Sequence, residues 1–167
     1  MPGASERDAA LEAAYAVVAG ETFDTIAAVL DRCDDRTVNA VVAEVPGMNS
    51  VFALVTHLDG VIADWGGNLV AGEKIPRDRA GEFAATGTVV QARVLVDRMR
   101  ERLPRYVHRA LADGIADRSA IGSTRADAAA ATGEFVILHL LRELTQHTGH
   151  LQICADLVAG GEAAGAR

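Results

Sequence analysis

The sequence predicts an all-α architecture, four long helices packed as a bundle, and three observations carry that expectation. Apolar residues recur at threes and fours through four separate windows, the period of a helix with one buried face. Alanine is abundant and aromatic residues make up only 4% of the chain, a mixture that favours helices over sheets. The prolines number four and stand far apart, so long stretches are left uninterrupted. A chain of 167 residues is long enough to bury a core without disulfides or structural metal, and one domain spanning residues 1–167 is expected.

From Asp8 to about Cys33 the positions Leu11, Ala14, Tyr15, Val18, Thr22, Ile26, Val29 and Leu30 trace the first amphipathic helix, weakened in its middle by Gly20. Asp34-Asp35-Arg36 reads as a turn, and Pro46-Gly47-Met48-Asn49-Ser50 as a second break whose Asn49 or Ser50 caps a new helix. That second helix is expected to reach about Val70. An irregular polar stretch follows Ala71-Gly72, running through Lys74 to Arg79 and ending in Glu82-Phe83. Thr86 or Thr88 then opens a third helix, continuing to about Asp113 with a kink or interruption at Pro104. Gly114 to Arg125 has no clean period and reads as a loop. A last helix starts between Ala126 and Gly133 and runs to about Val158, where Gly160-Gly161 is expected to stop it and leave a frayed tail.

Composition excludes several classes of partner. Half of the residues are hydrophobic and 23% charged, a globular balance, and the longest apolar runs are broken by Asp, Glu, His or Gly before the roughly 20 residues a membrane span needs. The formal charge is -7, with the basic residues dispersed among acidic ones, so neither a nucleic-acid nor a membrane partner is expected. Cys33 and Cys154 form no C-x-x-C, and the N-terminus lacks a basic segment followed by an apolar one, so the expected compartment is a reducing cytoplasm. An Ala-rich bundle with an apolar first helix is also expected to cover a remaining face by pairing into a homodimer.

The chemistry concentrates in the last helix, from Glu134 to Cys154. Stepping about 100° per residue, His139, His147 and His150 all fall within about 40° of Glu143. Val136, Leu140, Cys154, Leu157 and Val158 lie on the same side, while Thr145, Gln152 and Asp156 lie opposite, so the acid and the histidines point inward. Burying a carboxylate and imidazoles costs several kcal/mol unless they are paired or bound to a cation. Glu143 and His147, at i and i+4, stand side by side and can bite one divalent ion. A third ligand must come from another helix, and His57 is the candidate, on the edge of an apolar arc of Leu54, Leu58, Val61, Trp65 and Leu69 that also carries Asp64 and Asn68. His150 competes for the same position. Two His and one carboxylate leave coordination positions open, as in a catalytic rather than a closed structural site.

Simpler roles stand beside these. An inward Glu-His pair also occurs as a plain hydrogen bond, His139 reads as a hydrogen-bonded core residue, and His108 on the charged third helix reads as surface. Cys154 reads as a buried inert thiol, with ligand or nucleophile as the alternative.

Four blocks in order carry a family resemblance: Asn49-Ser50; Leu54-Val55-Thr56-His57-Leu58-Asp59-Gly60 with Trp65; Arg77-Asp78-Arg79-Ala80-Gly81-Glu82-Phe83; and Leu138-His139-Leu140-Leu141-Arg142-Glu143-Leu144-Thr145-Gln146-His147-Thr148-Gly149-His150. In these the chain resembles the DinB-like metalloprotein superfamily and, within it, the actinobacterial mycothiol S-transferases. The resemblance implies an up-and-down four-helix bundle with a long connection, and a metal held by His57, Glu143 and His147, with His150 as a supporting residue or alternative ligand. Many relatives carry His where Glu143 stands; the carboxylate is similar to that of mycothiol-dependent maleylpyruvate isomerases and transferases. Gln146 and Val61 depart from the pattern, standing where a basic and an acidic or polar residue are expected.

The activity so implied is that of a metal-dependent transferase joining mycothiol, or a similar low-molecular-weight thiol, to an electrophile in detoxification or specialised-metabolite biosynthesis. Zinc is the expected divalent metal, with nickel as the alternative. His57, Glu143 and His147 would act through the metal; Arg77 and Arg79 would orient an anionic group on thiol or substrate, with Trp65 and Phe83 as apolar walls. Two other readings stay open: a mycothiol-dependent isomerase of a maleylpyruvate-like diacid, and a non-catalytic metal-binding helical module. Isomerase relatives carry a further C-terminal domain, so a chain ending shortly after Gly161 is expected to be a transferase.

Overall fold

Four long helices share one apolar core in the computed structural model, which describes residues 4–120 and 131–165; no strand occurs among them. Helix α1 spans Ala4–Asp31, α2 Val51–Ile62 with a π-helical continuation over Ala63–Val70, α3 Arg79–Ala84, α4 Val89–Ala112 and α5 Gly133–Gly165. Helix α1 packs against α4 and α5, α2 packs against the same two, and α4 meets α5. The expected all-helical bundle is therefore present.

The starts of α2 and α4 follow from capping chemistry. The Ser50 hydroxyl accepts from the Ala53 amide at 3.1 Å, which settles the choice between Asn49 and Ser50. At α4, Thr88 and Gln91 form a reciprocal capping box, the Thr88 hydroxyl accepting from the Gln91 amide at 3.1 Å and the Gln91 side chain from the Thr88 amide at 2.8 Å. For α5, the Thr132 hydroxyl accepts from the Phe135 amide at 3.2 Å. Residues 114–120 are irregular, as expected; residues 121–130 lie outside the described residues, and α5 begins at Gly133, the far end of the range expected for its start.

Four expectations are corrected. Helix α4 runs through Pro104 without interruption: the proline forfeits one backbone hydrogen bond, but the buried Leu103, Tyr106 and Val107 around it hold the helix against the core. Helix α5 continues past Gly160-Gly161 to Gly165, because a glycine stop needs the left-handed conformation, and the glycines with positive φ are Gly47, Gly72 and Gly114. The polar stretch contains a short helix, α3, whose N-cap Asp78 accepts from the Gly81 amide at 3.0 Å. Leu157, placed inward by the wheel, is 38% exposed.

Helix α1 also proves long and apolar enough, by length and composition alone, to cross a membrane. In the bundle its Tyr15, Ala19, Phe23, Ile26, Val29 and Leu30 are buried in the shared core, whereas Leu11, Val17 and Val18 are exposed.

The π-helical segment closes α2 with wider turns, the Ala71 amide donating to the Gly66 carbonyl at 3.0 Å. Its geometry depends on Gly66, where a Cβ would fall 2.3 Å from the ring of the buried Tyr106. Leu144, fully buried in the shared core, anchors the part of α5 that carries the histidines. Leu144→Ala is expected to cost about 2–5 kcal/mol, read as a lower midpoint in guanidinium unfolding with an unchanged m-value.

Candidate metal centre

His57 is set into the core by α2, its neighbours Leu54, Val55, Leu58 and Val61 all buried and its own exposure only 4%. On α5, Glu143 and His147 stand one turn apart as the wheel requires, with Glu143 Oε2 3.4 Å from His147 Nε2. Packing α2 against α5 brings the three together: one donor atom from each of His57, Glu143 and His147 lies within 4.8 Å of the others. The rings of His57 and His147 meet nearly edge to face, centroids 4.8 Å apart at 81°.

The donor set is two imidazole nitrogens and one carboxylate oxygen, which suits zinc or a similar divalent ion and leaves positions open. One further feature fits a cation. His147 Nδ1 is buried and has no hydrogen-bond partner among the described residues, an arrangement that costs free energy unless something binds the site. Glu143 is ready as a ligand, since its carboxyl is pulled down to about 2 by hydrogen bonding from His147 and Arg142, and by the nearby charges of His139 and Arg142, against the opposing effect of burial.

The other expected site residues fall around this cluster in distinct places. His150 lies outside it, its ring stacked 6.2 Å from that of His147; burial and the charge of His147 both disfavour its protonated form. Phe83, brought back by α3, covers His57 at 4.6 Å between centroids, and the exposed Arg79 sits over the Phe83 ring at 5.7 Å. Trp65 packs at a tilt against His139 instead, with ring centroids 4.2 Å apart, and Phe135 lies 6.3 Å from the Trp65 ring. Arg77 is half-buried behind His57, donating to both oxygens of Glu82 at 2.7 and 3.1 Å and to Asp64 Oδ2 at 2.9 Å. Among the remaining candidates, His139 is buried against Trp65, His108 is an exposed partner of Glu12 at 3.0 Å, and burial pushes the Cys154 thiol up, as an inert core cysteine requires.

Sequence reasoning passed over Glu82. It is 6% exposed, and its Oε2 lies 2.8 Å from His57 Nδ1. Burial alone would raise its carboxyl, but His57 and Arg77 outweigh that and hold it below the ordinary value. The only signal in the chain was a carboxylate at the end of an irregular polar stretch, 25 residues beyond His57, which no local period connects to it.

The family model described as Mycothiol-S-transferase matches residues 9–160. No curated protein and no solved structure matches the chain.

Proposed function

The chain belongs to the mycothiol S-transferase family, a DinB-like family, and from that premise we propose that it is a metal-dependent transferase joining mycothiol or a similar thiol to an electrophile. The observation that carries the metal dependence is the convergence of His57, Glu143 and His147 from two helices to within 4.8 Å, with His147 Nδ1 buried and unpartnered. A divalent ion supplies Lewis acidity that lowers the pKa of a thiol from its free value of about 8.5, so that the thiolate is present at neutral pH.

The protein's own residues do the rest. Glu143, ionised and fixed by Arg142 and His147, contributes the anionic ligand without needing to lose a proton on binding. His57 and His147 supply nitrogen donors from two different helices, which holds the reacting groups in place and contributes through positioning. Phe83 forms an apolar wall over His57, and Arg79, exposed beyond it, meets an anionic group on the thiol or electrophile. Arg77, committed to Glu82 and Asp64, is assigned to supporting the site. Zinc is the proposed ion, the protein is assigned to the cytoplasm, and a homodimer is its proposed assembly, to be checked by light scattering.

Incubating the purified protein with mycothiol, a general electrophile and zinc should yield the thioether conjugate by mass spectrometry, and a chelator should abolish it. Turnover of a maleylpyruvate-like diacid with no conjugate formed would replace the transferase reading with the isomerase one.

A further inference from the structure

We propose that Glu82 is a positioning residue that holds His57 as its Nδ1–H tautomer and leaves Nε2 as the nitrogen available to the cluster with Glu143 and His147. The contact is direct: His57 Nδ1 lies 2.8 Å from Glu82 Oε2, with side-chain exposures of 4% and 7%. An ionised carboxylate only accepts hydrogen bonds, so the proton between the two belongs to the ring nitrogen. Glu82 is kept in that state by Arg77, whose permanently charged guanidinium grips both of its oxygens at 2.7 and 3.1 Å. In a neutral imidazole with Nδ1 protonated, Nε2 carries the lone pair.

The surroundings hold Glu82 in place from three sides. Arg77 also donates to Asp64 at 2.9 Å, and Asp64 accepts from Asn68 at 3.3 Å. Asn68 in turn brackets the backbone of Ile75, donating to its carbonyl at 2.9 Å and accepting from its amide at 2.7 Å, so the segment leading into α3 is tied to the π-helical turn. On α2, Gly60 makes room: a Cβ there would fall 2.1 Å from Glu82 Oε1. A glycine three residues beyond His57 is what lets a carboxylate from α3 lie against α2 at the level of the histidine. A carboxylate behind a ligating imidazole fixes the ring and raises its basicity, and losing one commonly weakens metal affinity about 10- to 100-fold.

The consequence for metal affinity rests on the metal site proposed above, whereas the consequence for the tautomer does not, and the experiment separates them. Long-range 1H–15N spectra of the metal-free full chain, with His57 identified through His57→Gln, should show the Nδ1–H tautomer in the wild type. Glu82→Ala should lose that tautomer and bind zinc about 10- to 100-fold more weakly in competition with a chromophoric chelator. Glu82→Gln, whose amide oxygen still accepts from Nδ1–H, should restore the tautomer and most of the affinity, which a residue needed only for folding would not do. An Nε2–H tautomer in the wild type overturns the proposal, as does a folded Glu82→Ala protein with wild-type tautomer and zinc affinity. If the wild type takes up no zinc, the metal reading falls, and the tautomer comparison still decides the role of Glu82. Should Glu82→Ala not fold, the wild-type tautomer and the Glu82→Gln protein carry the test.

Discussion

Replacing His57 or His147 by alanine is expected to abolish stoichiometric metal binding, the largest effect among the substitutions considered. Each removes one of the three proposed ligands from a cluster whose donor atoms lie within 4.8 Å of one another, so affinity should fall by more than the roughly 10- to 100-fold typical of losing a group that only supports a ligand. Elemental analysis of wild type and variants after zinc loading and dialysis is the measurement: about one ion per chain in the wild type and little in either variant, with transferase activity falling in parallel. His150→Ala should keep its metal, because its ring stands outside the cluster, 6.2 Å from that of His147. Metal retained at full stoichiometry in both His57→Ala and His147→Ala would remove the assignment. A loss confined to His150→Ala would mean that the ligands are read one turn out of register.

The pH dependence of the reaction is expected to depart most from that of the free thiol between pH 8 and about pH 6. A thiol of pKa about 8.5 loses its reactive thiolate tenfold per unit below that value, so an uncatalysed conjugation slows steeply toward neutrality. The metal-loaded enzyme should hold its rate to about pH 6–7. Failure at lower pH should not come from Glu143, whose carboxyl is held at about 2 by hydrogen bonding from His147 and Arg142 and by neighbouring charge. It should come instead from loss of the metal, as protons compete with the cation for its donor atoms. The sign for stability is separate. Because the folded-state pKa of Glu143 lies below its ordinary 4.5, its interactions stabilise the fold above that value and are lost as the pH falls toward about 2. Glu143→Gln should therefore narrow the stability difference between neutral and strongly acidic solution, measured by denaturant unfolding of the metal-free protein. Parallel pH-rate profiles for the enzyme and the free thiol would show that the protein does not activate the sulfur.

By itself the sequence determined the four long helices, narrowed the caps of the second and third to Asn49 or Ser50 and Thr86 or Thr88, and placed His139, Glu143, His147 and His150 on one inward stripe, because periodicity and capping act within a few residues of the chain; the structure then chose Ser50 and Thr88. The pairing of Glu143 with His147 was legible for the same reason, being separated by one turn. Bringing His57 to that pair rested on family resemblance and on its place at the edge of an apolar face. Only the packing of α2 on α5 sets the distance between them. Tertiary structure also decided where local rules pointed the other way. Pro104 is carried inside α4 by the buried residues flanking it, and Gly160 and Gly161 stay helical because neither takes up the left-handed backbone that ends a helix. The largest gap was behind His57. Along the chain Arg77 reads as orienting an anionic group of the thiol or substrate, and Glu82 is passed over, yet each is satisfied by groups from other elements: Glu82 by His57, 25 residues away, and Arg77 by Asp64, 13 residues away. No periodicity reports such pairs, because what selects them is the cost of burying a charge alone, and that cost exists only once the helices have closed around it.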